Sequence, residues 1–302
     1  MPQPSSGEAV VKIAAAGVNF IDIQQRMGKY RVPQLPYTIG SEGAGTVAAI
    51  GPGVTDVRVG DRVAYTMVPG TYAEFALAPA DRLVKLPDGL DFQTGAAVML
   101  QGTTAHYLTH STFPIKPGHA ALVHAGAGGV GQLITQLADK LGARVYATVG
   151  SDAKAALARE AGASQVINYS TQDFEAEIKR LTNGRGVDVV YDSVGKDTFE
   201  KSLNCLRPRG CLALFGFSSG PVPLFDPATL GTKGSLFLTR PGLAHYIATR
   251  EELVMRTTDL FRWLAEGALR LRIDRVFPLA DAARAHVELE SRRTTGKLLL
   301  TP

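Results

Sequence analysis

Eight residues, "HAGAGGVG" at positions 124–131, constrain the fold of this chain more than any other stretch. They continue a strand-like run that begins at residue 120 and ends at 125. Their own Val130 starts a series of apolar residues at helical spacing, which goes on with Leu133, Ile134, Leu137 and Leu141. The glycines match the dinucleotide pattern G-x-G-x-x-G, in which Gly126 permits a tight turn, Gly128 lets the backbone approach a pyrophosphate and Gly131 allows close packing of helix on sheet. Because a helix N-terminus adds N–H donors and a positive dipole, the segment predicts a phosphate-binding loop.

The order of apolar runs along the chain predicts two kinds of architecture. Residues 7–85 hold short runs rich in Val and Ile, punctuated by Gly and Pro, which is typical of an irregular β domain. From 120 to about 240, strand-like runs such as "RVYATVG" and "CLALFGF" alternate with helix-like segments such as "DAKAALAREAG" and "FEKSLNCLRPRG". This alternation predicts an α/β fold with a doubly wound parallel sheet. After residue 245 two segments, "TREELVMRTTDLFRWLAEGAL" and "LADAARAHVELESRR", are helical in pattern, and "GKLLLTP" is a short terminal strand.

Charge and cysteine content exclude several classes of protein. The net charge is +4, but Lys and Arg are scattered singly among the acids, which disfavours a nucleic-acid partner. No apolar run reaches membrane-spanning length and the start lacks a signal-peptide core, so we predict a cytoplasmic protein without a membrane partner. Two cysteines, Cys205 and Cys211, cannot build a disulfide framework or a four-cysteine zinc site, and we interpret them as ordinary thiols.

The end of the second strand of the alternating region bears on which dinucleotide binds. NAD sites usually place an acid there, to accept a hydrogen bond from the adenosine ribose, whereas this strand ends in Gly150-Ser151. Lys154 then lies in the first turn of the next helix, where it either meets a 2′-phosphate or is a solvated lysine. Asp152 is either the ribose acid or a first-turn helix residue, and the second interpretation fits its place after Ser151 better. The pattern therefore favours NADPH.

Five segments in order carry a resemblance to a known family: "AAAGVNFIDIQQRMGKY", "GSEGAGTV", "HAGAGGVGQL", "ATVGSDAKAALAREAGASQVINY" and "YDSVGKDTFEKSL". Over nearly its whole length the chain resembles the zinc-free quinone oxidoreductases, the ζ-crystallin-like branch of the medium-chain dehydrogenase/reductase superfamily. The resemblance implies a GroES-like catalytic domain at 1–110 and 245–302, shortened at its N-terminus, and a Rossmann domain at 111–244. It also implies a nicotinamide cleft at their junction and a homodimer formed by Rossmann edge strands, here "GSLFLTR".

The resemblance further implies that no metal is bound. Zinc-dependent relatives carry a cysteine near the segment that reads "GVNFID" here, a His-Glu pair where this chain has Ser41-Glu42, and a cysteine-rich lobe. This sequence has Asn19 near the first position, Ser41 at the second and no lobe, so a tetrahedral zinc site lacks its ligands.

The family's cofactor contacts carry over residue by residue as implications of the resemblance. Beside the nicotinamide they place Asn19 and the segment Phe20 to Gln24. Near the nicotinamide end of the path that leads from the adenosine they place Thr239 and Pro241. Under the pyrophosphate they place Gly129 and Val130. Around the adenosine 2′-phosphate they place Gly150, Ser151, Lys154, Tyr169 and Arg292. Along the path between adenosine and nicotinamide they place Ser193, Phe215 and Ser218.

Several of these residues have a second interpretation. Tyr169 is either a cofactor contact or a strand-end aromatic, Arg292 either a phosphate ligand or a helix-end cation, and Phe215 either a contact or core. Relatives often have a tyrosine where this chain has Gln24, which puts in doubt a contact at the nicotinamide.

The activity implied is NADPH-dependent reduction of a quinone by hydride transfer, without zinc. Asn19 either donates a hydrogen bond to the developing quinol oxygen or only fixes a turn or the nicotinamide ribose. Tyr30 either lies at the pocket mouth or only packs. Two other functions stay open: an NADPH-dependent alkenal or enone reductase that acts on a C=C bond, and a mainly non-catalytic role in binding NADPH and RNA. The sequence leaves the physiological quinone open.

Overall fold

The computed structural model describes residues 1–291 and 293–302, so the Arg292 prediction lies outside the described residues. The strands are β1 (Glu8–Val18), β2 (Glu42–Ile50), β3 (Arg62–Thr66), β4 (Phe75–Pro79), β5 (Val84–Lys85), β6 (Ala120–Val123), β7 (Arg144–Val149), β8 (Gln165–Asn168), β9 (Val187–Asp192), β10 (Leu206–Leu214), β11 (Phe237–Thr239), β12 (Ile273–Pro278) and β13 (Lys297–Thr301). The α-helices are α1 (Phe20–Arg26), α2 (Phe92–Tyr107), α3 (Gly129–Lys140), α4 (Asp152–Glu160), α5 (Phe174–Leu181), α6 (Phe199–Asn204), α7 (Ala228–Thr232), α8 (Leu243–Tyr246), α9 (Arg250–Ala265) and α10 (Ala282–Glu290).

The chain divides into two compact units. The β-rich unit comprises Met1–Thr103 and Tyr246–Pro302, and the parallel-sheet unit comprises Thr104–His245. The first division falls within α2. The boundaries after residue 110 and before residue 245 stay a prediction.

The β-rich unit is built on a seven-stranded sheet in the order β12-β13-β1-β2-β3-β5, with β4 also pairing with β1. The central strand β1 has the mostly apolar sequence "EAVVKIAAAGV", and all of its residues except Glu8, Lys12 and Ala14 are buried. It runs antiparallel to β2, β4 and β13, so its C-terminal end lies beside the starts of β2 and β13. Three distant parts of the sequence therefore meet at one end of this sheet.

The parallel-sheet unit has six strands in the order β11-β10-β9-β6-β7-β8, all parallel. This is the Rossmann order, and the predicted doubly wound sheet is confirmed. The direction of winding reverses between β6 and β9. In open α/β sheets ligands bind outside the carboxyl ends of the strands at such a reversal. The glycine loop follows β6 and therefore lies at this point.

The segment Phe20–Arg26, within the region predicted as an irregular β domain, forms α1. The segment Ile273–Pro278, which lies between the two segments predicted as helical, forms β12 because β13 supplies a parallel hydrogen-bonding partner. One local prediction is wrong. The helix predicted through "FEKSLNCLRPRG" ends at Asn204, and β10 begins at Leu206. Proline at 208 cannot continue a helix, and Leu206 pairs instead with Val187. Within the described residues, no helix is long and apolar enough to cross a membrane.

Candidate active site

A buried ion pair lies where β1, β2 and β13 meet. The side chains of Glu42 and Lys297 are both fully buried and form a salt bridge. Lys297 Nζ also donates to Asn19 Oδ1 at 2.6 Å, and Asn19 Nδ2 donates to Glu42 Oε1 at 2.8 Å. The backbone N–H of Leu100 donates to Glu42 Oε2 at 2.6 Å. Each charged group is thus compensated by its counter-charge and by further hydrogen bonds, as a buried ion requires.

This pairing fixes the orientation of the Asn19 amide. An ammonium group can only donate, so the atom that faces Lys297 is the amide oxygen, and a carboxylate can only accept, so the nitrogen faces Glu42. Among residues 1–291 and 293–302, the second amide hydrogen has only the carbonyl of Gly17 as an acceptor, with an N···O distance of 3.5 Å. The network also needs a glycine at 17, because a Cβ there would lie 2.0 Å from Glu42 Oε1.

A second carboxylate, Asp22, lies in the first turn of α1 and is fully buried. It accepts hydrogen bonds from Asn19 N at 2.9 Å, Ser41 Oγ at 2.7 Å and the Tyr72 hydroxyl at 3.3 Å. Burial raises the pKa of Asp22 to about 6, although its hydrogen bonds to Ser41 and Asn19 and the charge of Lys297 act in the opposite direction. Asp22 therefore titrates near neutral pH.

A histidine continues this network towards the surface. Arg26 Nη1 lies 3.0 Å from His286 Nδ1, and Tyr72 lies 3.1 Å from His286 Nε2. Since arginine can only donate, Nδ1 is the acceptor, the proton is on Nε2, and the Tyr72 hydroxyl then donates to Asp22. Burial, with the charge of Arg26, lowers the pKa of His286, in keeping with a neutral ring. Arg26 also pairs with Glu290 at 2.9 Å at the surface.

Replacing Asp22 with asparagine is expected to remove a pH-dependent loss of stability. The folded-state pKa of about 6 lies above the ordinary value of 3.8, so ionisation opposes folding increasingly as the pH rises between these values. Relative to wild type, the variant should gain up to about 3 kcal/mol in the free energy of unfolding between about pH 4 and pH 7. Urea unfolding across this range measures the difference.

Asp61→Asn is the control of opposite sign. The ion pair with Lys85 lowers the pKa of Asp61, so its favourable contribution is lost only as the pH falls below about 4. If the difference between Asp22→Asn and wild type does not change with pH, the assignment for Asp22 is wrong.

The other site residues predicted in the β-rich unit lie in and just after α1. Phe20 and Tyr30 are partly exposed, at 39% and 37%. The Oε1 atom of Gln24 is buried and has no hydrogen-bond partner in the described part of the chain. A buried acceptor without a donor is costly, so this atom is suited to accept from a ligand N–H.

The glycine loop folds as a turn between β6 and α3. Gly126 N donates to Thr148 O at 2.9 Å, and Gly128 N donates to Ala125 O at 2.8 Å. The left-handed residue of the turn is Ala125 (φ 52°) rather than Gly126. Glycine is needed at 126 for a different reason: a Cβ there would lie 2.7 Å from the Cβ of Ala147.

Close approach also explains Gly131, in the first turn of α3. A Cβ at this position would lie 2.2 Å from the carbonyl oxygen of Ala125, and backbone atoms cannot yield as a flexible side chain can. Gly128 has more room, with Ala125 O at 3.2 Å. The first N–H groups of α3, including those of Gly129 and Val130, have no acceptor within the helix and so can serve a phosphate.

The end of β7 holds the residues predicted for the 2′-phosphate. Ser151 caps α4 by accepting from Lys154 N, and a Cβ on Gly150 would lie 2.6 Å from the Tyr169 hydroxyl. Asp152 is the first residue of α4, and its Oδ1 accepts from Asn168 Nδ2 at 3.0 Å. The structure thus favours the interpretation of Asp152 as a first-turn helix residue.

The remaining predicted cofactor residues follow the other strands of the same sheet. Ser193 follows β9, and its carbonyl accepts from Ser218 N at 3.1 Å. Phe215 follows β10, and its N–H donates to Asp192 O at 2.8 Å. Thr239 ends β11 and Pro241 lies just beyond it. Within this unit the structure therefore brings all the predicted residues to the carboxyl edge of one parallel sheet.

Sequence reasoning missed several polar residues of these networks. In the β-rich unit they are Tyr72, His286 and Lys297, whereas Asp22 lies within the segment Phe20 to Gln24 predicted beside the nicotinamide, although no role is predicted for its carboxylate. A lysine that opens the apolar terminal strand "GKLLLTP" was the available signal, because a buried lysine requires a partner.

Comparisons with known proteins agree with this geometry. A family model described as "Zinc-binding dehydrogenase" matches residues 129–250, and one described as "Alcohol dehydrogenase GroES-like domain" matches residues 5–88. The chain is 48% identical over 301 residues to a quinone oxidoreductase of Pseudomonas aeruginosa, covering 99% of this chain and 93% of the relative. It is 44% identical over 306 residues to a 2-haloacrylate reductase of Burkholderia sp, covering 99% and 92%. The crystal structure of Escherichia coli quinone oxidoreductase complexed with NADPH matches with a TM-score of 0.97 at 45% identity, covering 100% of this chain and 94% of that one.

Proposed function

This chain belongs to the quinone oxidoreductases of the medium-chain dehydrogenase/reductase superfamily, and from that premise we propose how it works as an NADPH-dependent quinone reductase. One observation carries the proposal. The glycine loop, the end of β7 and the turns after β9 and β10 all lie along one edge of a parallel sheet, where the direction of winding reverses. This is where the fold binds a dinucleotide.

The residues of the chain fit this cofactor. Four of the six residues from Gly126 to Gly131 are glycines, which leaves backbone open to a pyrophosphate, and α3 directs its first N–H groups there. Ser151 and Lys154 would hold the 2′-phosphate, since a lysine supplies a positive charge and the N-terminus of α4 a positive dipole. Gln24 Oε1, a buried acceptor without a donor, would accept from the nicotinamide carboxamide.

NADPH, when bound, supplies the hydride from C4 of its nicotinamide ring, and the protein supplies orientation and a polar environment. In the proposed mechanism Lys297 and Glu42 hold the Asn19 amide in a single orientation. The second amide hydrogen, whose contact with Gly17 O is long, then donates to the quinone oxygen as negative charge develops on it. Asn19 is thereby a stabiliser of charge and takes no proton itself.

Replacing Asn19 with alanine is expected to lower kcat by about 100-fold, the cost typical of losing one donor to a developing oxyanion. Steady-state kinetics with a para-quinone measure it. Ser41→Ala, which alters only a contact with Asp22 in the same region, is the control and should change kcat by less than about threefold. Unchanged turnover and unchanged NADPH affinity in Asn19→Ala would show that the role is wrongly assigned.

The zinc ion named in one of the matching family models does not fit this chain. At the positions where zinc-dependent relatives have a cysteine and a histidine, the chain has Asn19 and Ser41, which are poor zinc ligands. Of the two carboxylates described there, Glu42 is already neutralised by the Lys297 ammonium, which would repel a divalent cation, and Asp22 accepts hydrogen bonds from Asn19 N, Ser41 Oγ and the Tyr72 hydroxyl. No three His, Cys, Asp or Glu side chains of residues 1–291 and 293–302 cluster as a metal site would need. No step of the mechanism therefore uses a metal.

Lys154→Ala is expected to raise the Kd for NADPH about tenfold and to leave the Kd for NADH unchanged, because only NADPH carries the 2′-phosphate. Asp152→Asn should act in the opposite direction, since it removes a negative charge from the same turn. Fluorescence titration with both cofactors measures the ratio, and Lys179→Ala, on the exposed face of α5, is the control. Equal losses for NADPH and NADH in Lys154→Ala would contradict the phosphate contact.

The decisive test of the function is the initial rate of NADPH oxidation by purified protein, with 1,4-benzoquinone in one assay and an α,β-unsaturated carboxylate or aldehyde in the other. Turnover with the quinone and NADPH, and little with NADH, supports the proposal. Reduction of a C=C bond is the second candidate, favoured by the 2-haloacrylate reductase relative. Turnover with the unsaturated substrate alone would replace the first function by the second, and tight NADPH binding without turnover would favour the binding role.

We also propose a homodimer formed through β11. This strand lies at the edge of its sheet, where its outer backbone groups are available for pairing, and Phe237 on it is 63% exposed. A monomer in sedimentation equilibrium at micromolar concentration would overturn the dimer. The cytoplasmic location and the absence of a nucleic-acid partner stay predictions.

A further inference from the structure

A chain of four buried polar side chains lies beneath the carboxyl edge of the parallel sheet. Thr148 Oγ1 lies 2.9 Å from His124 Nδ1, and His124 Nε2 lies 3.0 Å from Ser202 Oγ. Ser202 Oγ in turn donates to Asp192 Oδ2 at 3.0 Å. All four residues are buried, and none of them is a predicted cofactor contact. We refer to these four residues as the His124 chain.

The direction of each hydrogen bond in the His124 chain follows from the chemistry of its last member. Asp192 also accepts from Thr198 Oγ1 at 2.7 Å and from the N–H groups of Val194 at 2.7 Å and Gly195 at 3.1 Å, so its carboxylate is an acceptor throughout. The Ser202 hydroxyl donates to it, and its oxygen must therefore accept from His124 Nε2–H. His124 Nδ1 is then the acceptor for the Thr148 hydroxyl.

This assignment makes His124 a neutral ring that connects two strands and a helix. Burial lowers the pKa of His124, although the charge of Asp192 acts in the opposite direction. A protonated ring would carry hydrogens on both nitrogens, so Nδ1 would donate to the Thr148 hydroxyl instead of accepting from it. With a neutral ring, only the Nε2–H tautomer completes the His124 chain.

The four residues are attached to the loops that carry the proposed cofactor contacts. His124 connects β6 to the glycine loop, and the carbonyl of Thr148 accepts the N–H of Gly126. The carboxylate of Asp192 holds the turn that contains Ser193, while its backbone carbonyl accepts the N–H of Phe215. Because β6 and β9 are the strands between which the winding of the sheet reverses, the His124 chain lies directly beneath the dinucleotide site.

We propose that His124 is a positioning residue for the dinucleotide: through Thr148 and Ser202 it fixes the spacing between the glycine loop and the turns after β9 and β10. The inference rests on the proposed NADPH-binding function. Hydrogen bonds in a buried, fully satisfied network restrain backbone positions more narrowly than apolar contacts do. A loop held in its binding geometry before the cofactor arrives has less freedom to lose on binding.

The test compares Thr148→Val and Ser202→Ala with a matched control. Valine has nearly the shape of threonine but cannot donate to His124, and Ser202→Ala removes the link to Asp192. The control is Val187→Ala, a buried truncation at the amino end of β9, on the opposite edge of the same sheet. It should lower the free energy of unfolding at least as much without touching the His124 chain.

Both hydroxyl deletions are expected to raise the Kd and KM for NADPH about five- to tenfold, the factor that corresponds to about one hydrogen bond, with kcat within about twofold of wild type. Thr148→Ser keeps the hydroxyl and should retain the wild-type Kd. In the protein without cofactor, amide hydrogen exchange of residues 126–131 should be faster in the two deletion variants and unchanged in Val187→Ala.

Two different failures can be told apart. If wild type binds no NADPH, the proposed function is overturned and the role towards the dinucleotide with it, whereas the exchange rates still report whether the His124 chain restrains the loop. If wild type binds and turns over NADPH but Thr148→Val and Ser202→Ala bind it as Val187→Ala does, the proposed function stands and the positioning role of His124 is overturned.

Discussion

Replacing Lys297 with methionine is expected to lower the free energy of unfolding by about 3–5 kcal/mol, the range observed when one partner of a buried ion pair is removed. The methionine leaves Glu42 fully buried with two neutral donors, Asn19 and Leu100, and no counter-charge. Glu42→Gln should cost a similar amount, because it leaves the Lys297 ammonium buried without an anion. Urea unfolding at pH 7 measures both.

The double variant distinguishes the interaction between the two charges from the cost of burying each charge alone. Glu42→Gln with Lys297→Met removes both ions together, so it should be more stable than the sum of the two single losses implies, with a coupling free energy of more than about 1 kcal/mol. Lys85→Met is the control: its ion pair with Asp61 at 2.9 Å is formed by a lysine side chain that is 56% exposed, and its loss should cost less than about 1 kcal/mol. If Lys297→Met and Glu42→Gln each lower the free energy of unfolding by no more than Lys85→Met does, the buried ion pair is contradicted.

The second large effect is expected at the glycine loop. Gly131→Ala should raise the Kd for NADPH by about 100-fold, which corresponds to about 3 kcal/mol. The added Cβ would lie 2.2 Å from Ala125 O, so the turn must move away from α3 and the N–H groups that would bind the pyrophosphate lose their alignment. Isothermal titration at a temperature where the variant stays folded measures the change.

Gly128→Ala distinguishes damage to the fold from damage to the site. Its Cβ would meet nothing nearer than Ala125 O at 3.2 Å, so the free energy of unfolding should change by less than about 1 kcal/mol. The Kd for NADPH should nevertheless rise at least tenfold, because the methyl group occupies the face that the phosphate approaches. Gly231→Ala, where a Cβ would have no neighbour within 4 Å, is the matched control. NADPH binding that survives in Gly128→Ala would exclude this turn as the cradle.

Features with local causes were predictable from the sequence. The pattern strand, glycine turn, helix identified the loop at 124–131, and the alternation of apolar runs identified the parallel sheet. The helix α4 begins where Ser151 can cap it, which gave Asp152 and Lys154 their positions in its first turn. In each case the residues that decide the structure lie within about one turn or one strand of each other.

Features that need a distant partner were not predictable in the same way. No strand is predicted for the segment that forms β12, which lies between two helical segments, and it is a strand because β13 pairs with it. Even within the glycine loop, the local pattern named Gly126 as the residue of the tight turn. The structure assigns the left-handed conformation to Ala125, and residue 126 must be glycine for a different reason, because Ala147 on the neighbouring strand leaves no room for a side chain there.

The amino-acid sequence by itself thus determined the two architectures and the cofactor loop, because backbone propensity, glycine spacing and apolar periodicity act over short distances along the chain. Only the tertiary structure decided that Lys297 pairs with Glu42 and orients Asn19, and that His124 connects Thr148 to Asp192 through Ser202. Those contacts join residues far apart in sequence. Because these contacts are buried, the fold cannot lose them without a large cost in stability, since a polar group removed from water must find its partner within the fold.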